Sequence, residues 1–152
     1  METVRDFEDL LELLERFEAR YLIIGGLAFI YHAKPRFTKD MDLWIGPDPE
    51  NVARANRALA AFGSPYLLEA GRPDEVVQLG VAPNRIDLLQ DPDGVDFDQA
   101  WSRRVEGRYG GAKVWWIDLD SLIEIKSRID DPRHQEDARV LRKVRERRGR
   151  ES

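Results

Sequence analysis

Two aspartates, Asp40 and Asp42, stand one residue apart at the head of the apolar run "MDLWIG". Aspartate has low strand propensity, and an unpaired buried carboxylate is costly. Side chains alternate along a strand, so the two carboxylates share one face while Met41, Leu43 and Ile45 point to the other. Like charges this close repel unless a cation sits between them. Hard divalent ions take oxygen ligands and commonly combine one or two carboxylates with substrate phosphates. The pair is therefore a candidate Mg²⁺ or Mn²⁺ site; the alternative is a strand mouth open to water, since Asp-x-Asp alone is a weak motif. Asp87 is a third carboxylate in strand context, between Ile86 and Leu88 in "RIDLLQ". A neighbouring strand would bring it beside the pair; its alternative is an ion pair with Arg85 or another arginine. Gly25-Gly26 lies where a strand hands over to a helix, which allows close backbone approach and phosphate binding at the helix start, or is ordinary turn chemistry. Lys126 falls on the apolar face of its helix with Leu119, Leu122, Ile123 and Ile129, placed either to snorkel to water or to aim at a phosphate. Asp137 shares the inner face of the last helix with Leu141 and Val144.

The elements that must position these groups are marked by periodicity and caps. Val4, Phe7, Leu10, Leu11, Leu14 and Phe17 give an amphipathic helix over 3–18. "RYLIIGG" reads as a central strand, and "GLAFIYHA" as a helix that Lys34-Pro35 ends. After "MDLWIG", Asp48 caps a helix with Pro49 at its first position and Gly63 beyond its end. "EVVQLGVAP" and "RIDLLQ" form two strands about a Pro-Asn turn, and "VDFDQAW" is a short helix. "RRVEGRYGGAKVWWI" is a hairpin turning at Gly110-Gly111. Asp118 caps a helix to about Ile129, and Asp131-Pro132 opens the last. The order α-β-α-β-α-β-β-α-β-β-α-α predicts an α/β (α+β) fold, a small mixed sheet covered by helices, in a single domain over 1–152. Trp115-Trp116 serves packing or an interface in preference to base stacking. His32 and His134 carry no assigned role, with His134 expected at the surface.

Composition bounds the function. The chain has 152 residues, no cysteine and a net charge of −5. Disulfides and thiolate metal sites are excluded, and a general nucleic-acid coat is disfavoured. Apolar runs are too short to span a membrane, and the acidic N-terminus is unlike a signal peptide, so the expected location is cytoplasmic. The tail holds six Arg/Lys in residues 142–150. It reads as a solvated helix end that suits the helix dipole, or else as a phosphate- or RNA-facing segment.

The run "GGLAFIYHAKPRFTKDMDLWI" resembles the signature of the polymerase-β-type nucleotidyltransferase superfamily, in which Gly-Gly or Gly-Ser follows the first strand and Asp-x-Asp opens the second. Thirteen residues separate Gly26 from Asp40. Gly25, Gly26, Ala28, Arg36, Thr38, Asp40 and Asp42 match the minimal, toxin-type, AbiEii-like bacterial branch, and Lys126 and Asp137 are similar to a later lysine and aspartate of that branch. The resemblance covers about residues 20–145 and implies a nucleotidyltransferase-like fold and metal-dependent transfer from a nucleoside triphosphate to a hydroxyl of RNA (tRNA included), a protein or a small molecule. It implies that Asp40, Asp42 and Asp87 hold Mg²⁺ or Mn²⁺, with Asp87 helping to remove the acceptor proton. The Gly25-Gly26 amides would hold phosphates, and Arg36, Lys39 and Lys126 would neutralise growing charge. Thr38 would bond a phosphate oxygen or brace the turn. The branch also implies an antitoxin partner or homodimer, in a toxin–antitoxin or phage-defence role. Two departures, Gly26 where many transferases carry serine and a chain without a separate acceptor domain, give the alternative: a catalytically inactive binding or regulatory protein on the same fold.

Overall fold

The computed structural model describes residues 3–38, 40–81, 83–92 and 94–151. Twelve elements follow in the expected order: α1 (Arg5–Arg16), β1 (Tyr21–Ile24), α2 (Gly25–His32), β2 (Asp40–Ile45), α3 (Pro49–Phe62), β3 (Val77–Leu79), β4 (Arg85–Leu89), α4 (Phe97–Ser102), β5 (Val105–Tyr109), β6 (Ala112–Trp116), α5 (Leu119–Arg128) and α6 (Pro132–Glu151). The expected caps at Asp48 and Asp118 form, and Asp96 supplies another at the start of α4. Asp48 accepts from the Asn51 amide at 3.1 Å, Asp96 from Gln99 at 3.0 Å and Asp118 from Ser121 at 3.2 Å. Each satisfies an amide that has no partner within its own helix. The first helix is shorter than its apolar spacing predicts, because the chain turns at Phe17 and Glu18, the latter at φ 58°.

The strands form one mixed sheet in the order β3-β4-β2-β1-β6-β5. β1 and β2 are antiparallel, whereas β2–β4 and β1–β6 are parallel. Parallel neighbours need crossovers, supplied here by α3 with β3 and by the long excursion that returns β6 to β1. Met41, Leu43, Ile86 and Leu88 are buried on one face of the β2–β4 pair. Alternation then leaves Asp40, Asp42, Arg85 and Asp87 together on the other.

Helix α1 packs on α3 and β6, while α2 packs on β1 and β2 and meets α5 and α6. Trp116 is fully buried and stacks on Tyr31, with centroids 4.5 Å apart and planes at 9°. Trp115 is half-buried, with Arg104 4.5 Å and Lys113 4.7 Å from its ring centroid. Both indoles are thus engaged in packing. Among the described residues no helix is long and apolar enough to cross a membrane.

Candidate functional site

A cleft of about 680 Å³ opens between the start of β2, the start of α2 and the α5–α6 corner, lined by both glycines, Asp40, Asp42, Lys126 and Asp137 among others. Its first wall is the β2–β4 pair. Parallel register sets Asp40 opposite Arg85 and Asp42 opposite Asp87, a two-by-two block of three carboxylates and one guanidinium. Arg85 donates to Asp87 through Nε at 3.0 Å and Nη2 at 3.1 Å, and its Nη2 lies 3.3 Å from Asp40 Oδ2. Both sequence readings of Asp87 therefore hold at once: it stands beside Asp42, and it is paired with Arg85.

One arginine cannot balance three carboxylates. Asp42 carries the excess: burial, then the Asp87 and Asp40 charges, push its carboxyl up to about 6 from the ordinary value near 3.8. Asp40 Oδ1 is buried without a hydrogen-bond partner among the described residues. Gly25, at φ +67°, is required here, because a Cβ at that position would run into the Asp42 carboxylate. An orphaned oxygen, a carboxyl that resists ionisation and a cradle that only glycine leaves open fit a hard divalent cation well. The three carboxylates are nevertheless not gathered into a ready-made ligand cluster among the described residues, and Arg85 lies between Asp40 and Asp87.

The second wall is built from the chain before β2 and from α5 and α6. Asp137, 7% exposed, accepts from Arg36 at 2.7 and 3.0 Å and from Lys126 Nζ at 2.9 Å. Burial raises the Asp137 carboxyl, but these charged hydrogen bonds outweigh it and hold the group below its usual range. Lys126 is 3% exposed and also lies 3.3 Å from His134 Nδ1. It does not snorkel away; its ammonium is fixed inside the cleft wall. The Arg36 guanidinium lies 4.1 Å from the Phe29 ring centroid, which fixes its plane. His134, expected at the surface, is half-buried at the site, where burial and the Lys126 charge lower its pKa. His32 is buried with Nε2 2.6 Å from the Ile117 carbonyl, a packing role away from the cleft lining.

Between the walls lies the start of α2. No side-chain cap bonds its first amides among the described residues, and Gly25 and Gly26 line the cleft. A Cβ on Gly26 would meet Thr38 Oγ1 at 2.7 Å. The threonine hydroxyl thus occupies the space beside Gly26 where a serine side chain would go, so the missing serine does not leave the site without a hydroxyl. Lys39 lies outside the described residues. Of the other residues singled out, Gly25, Gly26, Arg36, Thr38, Asp40, Asp42, Lys126 and Asp137 line one cleft, and Asp87 adjoins it through Asp42. The α6 residues Pro132, Arg133, His134 and Glu136 also line it, and sequence reasoning missed them. Only Asp137, one turn further along, carried an inward signal.

No protein-family model matches the chain, and no curated protein matches it in sequence. Solved structures do match in shape. A lincosamide antibiotic adenylyltransferase, LnuA, solved with lincomycin bound, superposes with a TM-score of 0.61 at 16% identity, covering 95% of this chain and 99% of that one. An antigenic nucleotidyltransferase-like protein from Paracoccidioides brasiliensis matches with a TM-score of 0.51 at 15% identity, over 93% of this chain and 76% of that one. At such identities the likeness is one of fold, and the fold is nucleotidyltransferase-like.

Proposed function

We propose that the protein is a divalent-metal-dependent nucleotidyltransferase that moves a nucleotide from a nucleoside triphosphate to a hydroxyl of a small molecule. The observation that carries this reading is the pairing of Asp42 with Asp87 across β2 and β4, directly beside the open start of α2 and facing Lys126. A cation held by Asp40, Asp42 and Asp87 would supply Lewis-acid activation and charge neutralisation. The amides of Gly25 and Gly26 take phosphate oxygens at the positive end of α2. Arg36 and Lys126 offset negative charge that grows on the leaving pyrophosphate. The acceptor oxygen forms a bond to the α-phosphorus as the bridge to the β-phosphate breaks. The hydroxyl proton passes to Asp87, the carboxylate paired with Asp42 across the two strands.

Among acceptors, small molecules are favoured over RNA or protein by the end-to-end likeness to a lincosamide antibiotic adenylyltransferase. The toxin-type branch, an antitoxin partner and a cytoplasmic location rest on the sequence alone.

The test is transfer of label from each α-labelled triphosphate, with Mg²⁺ or Mn²⁺, to a panel of hydroxyl-bearing small molecules, total RNA and protein. Transfer with pyrophosphate release, abolished in Asp42→Asn, is the expected result. Label that survives Asp42→Asn would place the activity elsewhere. Triphosphate binding without transfer to any acceptor class would favour the inactive binding protein.

A further inference from the structure

Arg85 plays no part in the chemistry just described, yet it makes the closest contacts in the carboxylate block. Both oxygens of Asp87 and one oxygen of Asp40 lie within 3.3 Å of its guanidinium nitrogens. We propose that Arg85 is the resident counter-ion of the cluster: its guanidinium bridges Asp40 and Asp87 in the metal-free protein, and a divalent cation enters by displacing it. The inference rests on the metal-binding reading above and adds a competition to it.

Three features support displacement over permanent residence. The arginine cannot satisfy the block, since Asp40 Oδ1 remains without a partner among the described residues. A dication seated among the same oxygens would be repelled by a guanidinium fixed a few ångströms away. The Arg85 side chain is also one-third exposed, at the first position of β4. It can therefore swing into water by rotating its own stem, without disturbing the strand ladder. The wall across the cleft behaves differently, because the ammonium of Lys126 is buried and has no such exit.

The bridge has a second role. Without it, three like charges would stand together on one face, so Arg85 keeps the metal-free fold compatible with its own site. The same contacts then weaken metal binding, and in the cell they set the metal concentration at which the site fills.

The experiment is Mn²⁺ titration of the nucleotide-free protein, followed by electron paramagnetic resonance and calorimetry, with no turnover involved. Wild type, Arg85→Gln and Arg85→Lys are compared, and Arg133→Gln serves as a control that removes a cleft-lining charge outside the block. Removing two ion-pair contacts should tighten Mn²⁺ binding by on the order of tenfold in Arg85→Gln. Arg85→Lys keeps the charge but lacks the planar fork, so its affinity should fall between the two. Arg133→Gln should change little. Metal-free melting temperature should drop in Arg85→Gln and recover with Mn²⁺ by more than in wild type. Arg85→Gln binding no tighter than wild type would overturn the inference while leaving the transferase reading intact. Arg85→Lys equal to wild type, with Arg85→Gln tighter, would overturn the bridge by reducing it to net charge. Failure of every form to bind Mn²⁺ would overturn the inference and the metal reading beneath it, whereas label transfer is read separately. If Arg85→Gln does not fold, the comparison of Arg85→Lys with wild type decides alone.

Discussion

The two walls of the cleft use the same chemistry to opposite ends. On the β2–β4 wall three carboxylates face one guanidinium, an excess of two negative charges, and the site is left with an orphaned oxygen and a carboxyl raised to about 6. On the α5–α6 wall one carboxylate faces two cations, and every oxygen of Asp137 is hydrogen-bonded. The first wall is unsatisfied and gains from an incoming cation. The second is complete, so it holds a fixed positive charge in place for an incoming anion. A metal–triphosphate complex carries both charges. The difference shows that burial of charge is not itself the functional signal; the ratio of signs is. A buried aspartate with two cationic partners is satisfied, and a buried aspartate with two like neighbours is not.

Removing one charge from each wall should therefore give opposite results. Asp42→Asn keeps shape and relieves repulsion, so the metal-free melting temperature should hold or rise. In the proposed metal-dependent reaction, transfer activity should fall by on the order of 10²–10³ or more, because the cation would lose one of its ligands. Asp137→Asn is expected to lower stability by about 2–4 kcal/mol, somewhat below the usual figure for breaking a buried pair because Arg36 is partly exposed. It leaves the ammonium of Lys126 buried without its counter-charge. Denaturant melts of the two variants check both signs, and a loss of stability in Asp42→Asn equal to that in Asp137→Asn would erase the distinction between the walls.

Much of the first wall was legible in the sequence, and much of the second was not. Strand alternation alone placed Asp40 and Asp42 on one face, and the caps at Asp48 and Asp118 fixed helix starts to the residue. These signals are local. The pairing of β2 with β4 is not, so the sequence offered Asp87 either as a neighbour of Asp42 or as a partner of Arg85, and could not show that register delivers both. Helical periodicity turned Lys126 and Asp137 inward, but their 2.9 Å bond depends on how α5 packs against α6. Arg36 was legible as a cation near the site, while its engagement by Asp137, a hundred residues away in the chain, was not. His134 looked like surface because it opens a polar helix; the cleft only appears once that helix is packed. Gly26 looked like a lost hydroxyl because the sequence does not show that Thr38 folds back over it.

A smaller effect sharpens the same comparison through pH. A raised Asp42 pKa means the folded state holds its proton more tightly than the unfolded chain. The resulting stabilisation is full below about 3.8 and is lost as pH rises through about 6. His32 and His134 oppose it in the wild-type curve: burial lowers both, so their neutral forms favour folding only while the unfolded imidazoles are also neutral, and this is lost as pH falls below 6.5. The wild-type profile alone therefore mixes signs. The difference between wild type and Asp42→Asn isolates the carboxyl. Relative to the asparagine variant, wild type should lose about 1–3 kcal/mol between pH 4 and 7. Mn²⁺ affinity should fall over the same interval as pH is lowered, since the ligand must be ionised. A difference curve flat across that interval would mean that Asp42 is not the strained member of the block.

The smallest expected effect lies between the walls, at Gly26 and Thr38. A serine Cβ at position 26 would sit 2.7 Å from Thr38 Oγ1 and 3.3 Å from Thr38 Cβ. The first contact is too close, but the hydroxyl can rotate; the second is tight but tolerable. Against this, replacing glycine within the first turn of α2 reduces the entropy lost on folding. Gly26→Ser should thus destabilise by only about 0.5–1.5 kcal/mol, toward the low end for overpacking. In a Thr38→Ala background the close contact is gone and the helix gain remains, so the same substitution should be neutral or stabilising. The two sites are in contact, and their interaction should be near 1 kcal/mol in a double-mutant cycle. Activity gives the stricter test. If the threonine hydroxyl serves the phosphate site, Thr38→Ala should lower kcat/KM by about tenfold, the scale of one hydrogen bond to a charged group. The double variant should recover much of that loss, because serine returns a hydroxyl to the space threonine has left. Thr38→Ala without effect on kcat/KM, or a double variant no better than the single, would show that Thr38 only braces the chain before β2.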